Sequence, residues 1–295
     1  VTAGESRTAL RNGTQMPRGP SQSLLLGLLA ALFVAAFLAS LLVGPAGLPL
    51  STAFQALFSN ENPAAALVMR EIRMPRAILS ALIGGTLGLT GAVLQGFLRN
   101  PLADPNILGI SSSAALGAVL VIYTGLSATF ALALPLAAMA GALLAVMVIY
   151  TLSGSHAGTL TLILAGLAIS TFAGAMTTLV LNLSPNPYAA LEIVYWMLGS
   201  LTDRSWTHVL LAAPFIVVGS LLLALSARAL DALTLGADVA ASLGIDLPRT
   251  RTLIVLGAAM AIGAATAVAG AIGFIGLVVP HVLRPLVGRQ PSRLL

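Results

Sequence analysis

The strongest constraint on this chain is an uncharged run from Ala77 to Leu98, bounded by Arg73-Met74-Pro75-Arg76 before it and Arg99-Asn100-Pro101 after it. About 20 uncharged residues wound as a helix cross the hydrocarbon core of a bilayer. The run also holds Gly84, Gly85, Gly88, Gly91, Gly96 and the amide of Gln95. A helix that only anchors a domain in lipid carries bulkier apolar side chains, whereas small residues let helix backbones approach closely. The block from Arg73 to Gly109 predicts a packed multi-helix membrane protein with a transport role.

The rest of the chain agrees. It is 58% hydrophobic and 8% charged, against about 25% charged residues in a soluble domain, and its mean hydropathy is +1.01. The formal net charge of +5 comes from arginines placed singly or in small groups between apolar runs. That pattern fits topology and lipid headgroups and excludes a nucleic-acid surface. Cysteine is absent, which excludes disulfide and thiolate chemistry. Residues 1–22 read as a polar tail with Arg7, Arg11 and Arg18; further spans follow and no small-residue cleavage site ends the first, so a cleaved signal peptide is not expected.

Eight spans are predicted, over Leu24–Val43, Ala77–Phe97, Ile107–Tyr123, Thr129–Tyr150, Leu160–Leu181, Val209–Leu225, Thr252–Ala269 and Ile272–Leu286. Pro280 and His281 interrupt the last. With the N-terminus inside, Arg7, Arg11, Arg18, Arg99, Arg228, Arg249, Arg251, Arg284, Arg289 and Arg293 fall inside, and Arg70, Arg73, Arg76 and Arg204 outside. Arginine enrichment on the inner side supports this orientation. Trp196 and Trp206 lie near the predicted outer boundary. An inside loop, 226–251, contains a short amphipathic stretch, Leu235–Leu243, that Gly244 is placed to terminate. Pro75-Arg76 with Gly84 and Pro248-Arg249 with Gly257 share an offset on spans entering from opposite sides, a pattern compatible with an inverted repeat.

No catalytic set emerges. His156, His208 and His281 are scattered, metal-site spacing is missing, and every carboxylate falls in a loop or tail. Ion-coupled carriers often hold an acidic residue within a span, so this distribution counts against a stand-alone secondary carrier. An intramembrane enzyme is disfavoured for want of a converging Ser/His, Asp/Asp or His set. There is no G-x-x-x-x-G-K-[ST] loop, so energy from ATP would have to enter through another subunit. Gly85, Gly88 and Gly91 recur along one side of the second span, with Thr86 and Thr90 near them. That side either packs against a neighbour or lines a lumen, and Gln95 is expected to hydrogen-bond an adjacent helix. Arg73 and Arg76 are either headgroup anchors or a docking point for an acidic partner, a role suited to the planar guanidinium.

Seven segments in order carry a resemblance: R-M-P-R at 73–76, G-A-V-L-Q-G-F at 91–97, N-P-L-A-D-P-N-I-L-G at 100–109, L-A-G-L-A-I-S at 164–170, Y-W-M-L-G-S at 195–200, L-G-A-D-V-A-A-S-L-G at 235–244 and G-F-I-G-L-V-V-P-H-V-L-R at 273–284. The chain resembles the FecCD or BtuC-like permeases of bacterial ABC importers for ferric siderophores, haem and vitamin B12. The resemblance implies an all-α, polytopic transmembrane helical bundle over residues 23–295. It implies a multi-pass protein of the bacterial cytoplasmic (inner) membrane with a cytoplasmic N-terminus. The implied partners are a second permease copy or paralogue, two cytoplasmic ATPase subunits that hold ATP and Mg, and an extracytoplasmic substrate-binding protein.

By the same resemblance Arg73 and Arg76 are docking arginines, and Leu235, Gly236, Ala237, Asp238, Ala240, Leu243 and Gly244 form the ATPase coupling segment. Gly88, Gly91 and Gln95 with Gly158 and Thr159 fall on the pathway and its inner gate, and the second and fifth spans resemble the lining between protomers. No cofactor is expected on this chain itself. The expected cargo is a ferric siderophore, with haem or vitamin B12 as alternatives. Family members have ten spans, so a further hairpin is expected beyond the eighth.

Overall fold

The computed structural model describes residues 22–130, 132–153, 159–184, 187–287 and 290–295. Among them there are helices and turns and no strand. In chain order the helices are α1 (Gln22–Leu42), α2 (Leu50–Phe58), α3 (Pro63–Leu67), α4 (Met74–Phe97), α5 (Ile110–Tyr123), α6 (Leu126–Thr129), α7 (Ala133–Ser153), α8 (Thr159–Asn182), α9 (Pro187–Met197), α10 (Trp206–Ala224), α11 (Ala227–Leu233), α12 (Ala237–Ser242), α13 (Leu247–Ala269) and α14 (Ile275–Val287). Six of the described helical segments are long and apolar enough to cross a membrane; α5 and α14 are shorter apolar helices.

α13 is the axis of the bundle. It packs against α10, α7, α5 and α4, and residues from Ile254 to Ala269 supply much of its buried face. Ala and Gly dominate that face because helices this close have no room for longer side chains. A Cβ on Gly219 of α10 would lie 2.7 Å from the carbonyl oxygen of Gly257 on α13. By contrast α1 exposes Leu26, Leu28, Leu32 and Phe33, as expected of a peripheral helix facing lipid.

The two short helices explain where the predicted spans shift. The expected third span began at Ile107, but residues 105–108 form a 3-10 turn and α5 starts at Ile110. The connection 100–109 is buried in part: Leu102 is exposed, Ala103 and Leu108 are fully buried, and the Asp104 carboxylate accepts from the Asn106 N–H at 2.8 Å. Irregular backbone at such depth is tolerated when protein covers it and its polar groups are satisfied. α14 likewise begins at Ile275 rather than Ile272. α9 lies between the predicted fifth and sixth spans; its eleven residues form a helix on which only Ile193 is buried.

The second span also differs at its start. α3, a π-helical turn at 68–73 and α4 run on as one element from Pro63 to Phe97. The cause is Pro75, which has no N–H to donate to the preceding turn. The Met74 N–H reaches back to the Met69 carbonyl, the i to i−5 pattern. In that pattern the Arg70 carbonyl loses its backbone donor, and Trp206 Nε1 supplies one at 2.9 Å. Thus the Trp expected in an interfacial belt also closes a backbone defect.

Candidate functional site

The features expected to act lie at the two ends and along one side of α4. At the end where α4 begins, three arginines of the sequence pattern separate by role. Arg70 is part-buried and donates to the carbonyls of Ala56, Leu57 and Ser59, pinning α2. Arg73 is only 6% exposed. Its Nη1 donates to the Leu42 carbonyl at 2.7 Å and to Leu41 at 3.3 Å, capping the C-terminus of α1. A cation there satisfies orphan carbonyls and opposes the negative end of the helix dipole. Gly44 makes space for it, since a Cβ there would lie 3.0 Å from the guanidinium. Arg73 is therefore an interior residue of the protomer, while Arg76 is exposed. Of the pair taken together from the sequence, only Arg76 presents its side chain at the surface.

Along α4, Gly88 and Gly91 are buried against α14. A Cβ on Gly91 would lie 1.8 Å from the Gly276 carbonyl oxygen, and one on Gly88 would lie 3.4 Å from Val279. Gln95 is buried, and its Nε2 donates to the carbonyls of Leu277 at 3.3 Å and Gly276 at 3.5 Å. Its Oε1 accepts from Arg284 Nη2 at 2.8 Å. The expected hydrogen bond to a neighbouring helix is present. These three residues are brought together as a helix–helix seam within the protomer. The part of α4 that stays open is earlier: Gly84 and Gly85, with Ser80 and Ala81, border a cavity of about 260 Å³ facing Phe33 and Phe37 of α1. Gly158 lies outside the described residues, and Thr159 marks only the first residue of α8.

At the other end stands the predicted coupling segment. Leu235 and Gly236 precede α12, Ala237 and Asp238 open it, and Leu243 and Gly244 close it. Gly236 adopts φ of 111° and Gly244 φ of 83°. The Gly244 N–H bonds the Ala241 carbonyl and the Ile245 N–H bonds the Ala240 carbonyl, the paired closure of a Schellman motif. Only Ala240 is buried on this helix. Leu235 before the helix, Val239 on it and Leu243 at its end are 64%, 43% and 62% exposed, which leaves this segment with exposed apolar side chains.

Two residues missed by the sequence make long-range ties near this end of the bundle. Asp231 at the end of α11 accepts from the Ser292 N–H at 2.9 Å and from Gln290 Nε2 at 3.0 Å. Partial burial disfavours its charge, but these bonds and the nearby Arg293 outweigh it and hold the carboxyl below its ordinary range. Arg284, in turn, joins α14 to α4 through Gln95. Neither contact carries a local sequence signal, because the partners lie 59 and 189 residues apart. No group of three or more His, Asp or Glu residues is placed to hold a metal among the described residues.

Helices long and apolar enough to span, packed around a small-residue core, define a polytopic membrane helical bundle. The chain belongs to the FecCD transport family, which it matches over residues 32–295. It is 43% identical to the cobalamin import system permease protein BtuC of Halobacterium salinarum over 227 residues, covering 76% of this chain and 60% of that one. It is 38% identical to the hemin transport system permease protein HmuU of Yersinia pestis over 289 residues, covering 96% of this chain and 84% of that one. A solved structure of a metal-chelate type ABC transporter in an inward-facing conformation superposes with a TM-score of 0.80 at 30% sequence identity, over 92% of this chain and 84% of that one. The bundle is thus an ABC-transporter permease fold.

Proposed function

We propose that the chain is the permease subunit of an ATP-driven importer that carries a large metal chelate inward across a bacterial cytoplasmic membrane. The observation that carries this reading is the α12 segment: a short helix with exposed Leu235, Val239 and Leu243 on and beside it at one end of a membrane bundle. Exposed apolar side chains on so short a helix suit a groove on a partner, here the cytoplasmic ATPase pair that would hold ATP and Mg. ATP-driven closure of that pair would push on α12 and tilt the helices of a path formed with a second permease copy or paralogue. Cargo would arrive from an extracytoplasmic binding protein docked at the opposite end, where Arg76 is exposed.

The chelate class is supported by relatives named for cobalamin and for hemin. Both are large metal-centred molecules, and a path lined by small side chains would offer them little specific grip. Ferric siderophore, the cargo expected from the sequence, is tested beside them. The full-length gene is reconstituted in vesicles with its ATPase and binding protein. ATP hydrolysis should then rise when the binding protein carries its cargo. Ferric siderophore, haemin and cobalamin are compared in parallel, and failure of all three to stimulate hydrolysis would overturn the chelate assignment. Arg76→Glu should weaken binding-protein association about 3- to 10-fold, the worth of an exposed ion pair of about 1 kcal/mol. Unchanged affinity would remove Arg76 from the docking surface.

A further inference from the structure

A cavity of about 460 Å³ opens beside the coupling end, lined by Gln95, Gly96 and Arg99 at the end of α4, Thr234, Arg284 of α14, and Pro291 and Leu294. Among the described residues its charged lining side chains are the two arginines and no carboxylate lines it. The Arg284 guanidinium is oriented by Gln95, whose own amide is fixed on the Gly276 and Leu277 carbonyls. One Nη2 bond to Gln95 leaves further donors of the fork available to a ligand.

Arg99 supplies an independent sign. It stands at φ of 50°, the left-handed region, immediately after α4. The Arg99 N–H bonds the Gly96 carbonyl and the Asn100 N–H bonds the Gln95 carbonyl. This is the same helix closure that Gly244 makes after α12, at a position where glycine is the usual residue. Glycine would make the same backbone bonds without crowding its Cβ. A long cationic side chain held in a disfavoured backbone, beside a cavity with a second oriented guanidinium, marks a position kept for the side chain.

We propose that this cavity binds a phosphate-bearing anion, either the headgroup of an anionic phospholipid or a soluble phosphate. Guanidinium forks match phosphate oxygens bidentately. The apolar lining from Ala92, Gly96, Pro291 and Leu294 leaves room for the glycerol backbone of a lipid. The proposal does not depend on the cargo or on the importer reading.

The test uses thermal melting of the full-length chain in zwitterionic detergent, with phosphatidylglycerol, phosphatidylcholine or inorganic phosphate added. Phosphatidylglycerol should raise the Tm by several degrees and phosphatidylcholine should not. If inorganic phosphate reproduces the rise, the site takes soluble phosphate; if it does not, the site takes the lipid headgroup. Arg99→Gly should melt no lower than the parent without lipid, because it relieves the backbone, yet lose at least half of the anion-dependent rise. Arg99→Gln keeps the backbone constraint and removes the charge, so it should lose the same share. An undiminished rise in both variants, or no rise in the parent with either phosphate probe, would overturn the proposal.

Discussion

At the scale of single residues, two arginines one helical turn apart meet opposite surroundings, Arg73 buried and Arg76 exposed. Arg73 and Arg76 are three positions apart, and spacing alone cannot tell which of them meets solvent. The answer depends on where α1 ends, 31 residues earlier at Leu42, whose carbonyl accepts from Arg73. Replacing Arg73 with Met would keep its length but strip the cap from α1. The expected cost is about 1.5–3 kcal/mol, the range for a hydrogen bond to a charged group, read as a lower Tm. Losing docking with the Tm unchanged would instead place Arg73 at a partner surface. Gly91 gives the complementary case, in which the small face of the second span was legible and its neighbour was not. Because a Cβ at Gly91 would enter the Gly276 carbonyl, Gly91→Ala must move α14 away from α4. The expected destabilisation is about 1–3 kcal/mol or more, typical of overpacking, whereas Gly85→Ala, with open space around it, should change stability by less than about 0.5 kcal/mol.

At the scale of elements, the long spans were legible because uncharged length is a strong signal. The predicted first, fifth and seventh spans correspond to α1, α8 and α13, with ends shifted by a few residues and, at the start of α13, by five. Short elements were harder. α5 follows an irregular segment in which Ala103 and Leu108 are buried, and burial is a tertiary property. α12 was legible because glycines bracket an apolar repeat. The tie of the preceding α11 was not, since Asp231 meets Ser292 and Gln290 only in the folded chain. If α12 transmits force, this tie between α11 and the segment after α14 should matter to coupling more than to assembly. Asp231→Ala should cost about 1–2 kcal/mol and lower cargo-stimulated ATP hydrolysis relative to basal hydrolysis; an unchanged ratio would assign the tie to stability alone. A carboxyl with a depressed folded-state pKa contributes stability above its unfolded value of about 3.9. That contribution is lost as pH falls through the lower folded-state value, so the tie should persist at pH 5 and loosen only in stronger acid. Hydrogen exchange at the Ser292 amide reads this directly.

For the whole molecule, exposed apolar surface is the quantity to explain. Leu160, Leu164, Leu167, Phe172 and Leu179 of α8 are each about half exposed or more, and Tyr188, Leu191 and Tyr195 of α9 are exposed as well. Lipid alone can cover such a face, as it can for α1. The two helices nevertheless differ in setting. α8 packs on α5 and α7 in the interior bundle, whereas α1 has its contacts with α2, the π-turn and α4. The fifth span was expected to line a path between protomers, which requires one side of α8 to face a second subunit. The chain has no cysteine, so single cysteines report neighbours without background. Leu167→Cys on α8, expressed with the other subunits of the system in native membranes and labelled with a thiol-reactive photo-crosslinker, should crosslink on irradiation to a second permease subunit, identical or paralogous. Leu32→Cys on α1, comparably exposed, should not. Crosslinking from α1 with none from α8 would move the subunit contact to the opposite side of the bundle and detach the proposed path from α8.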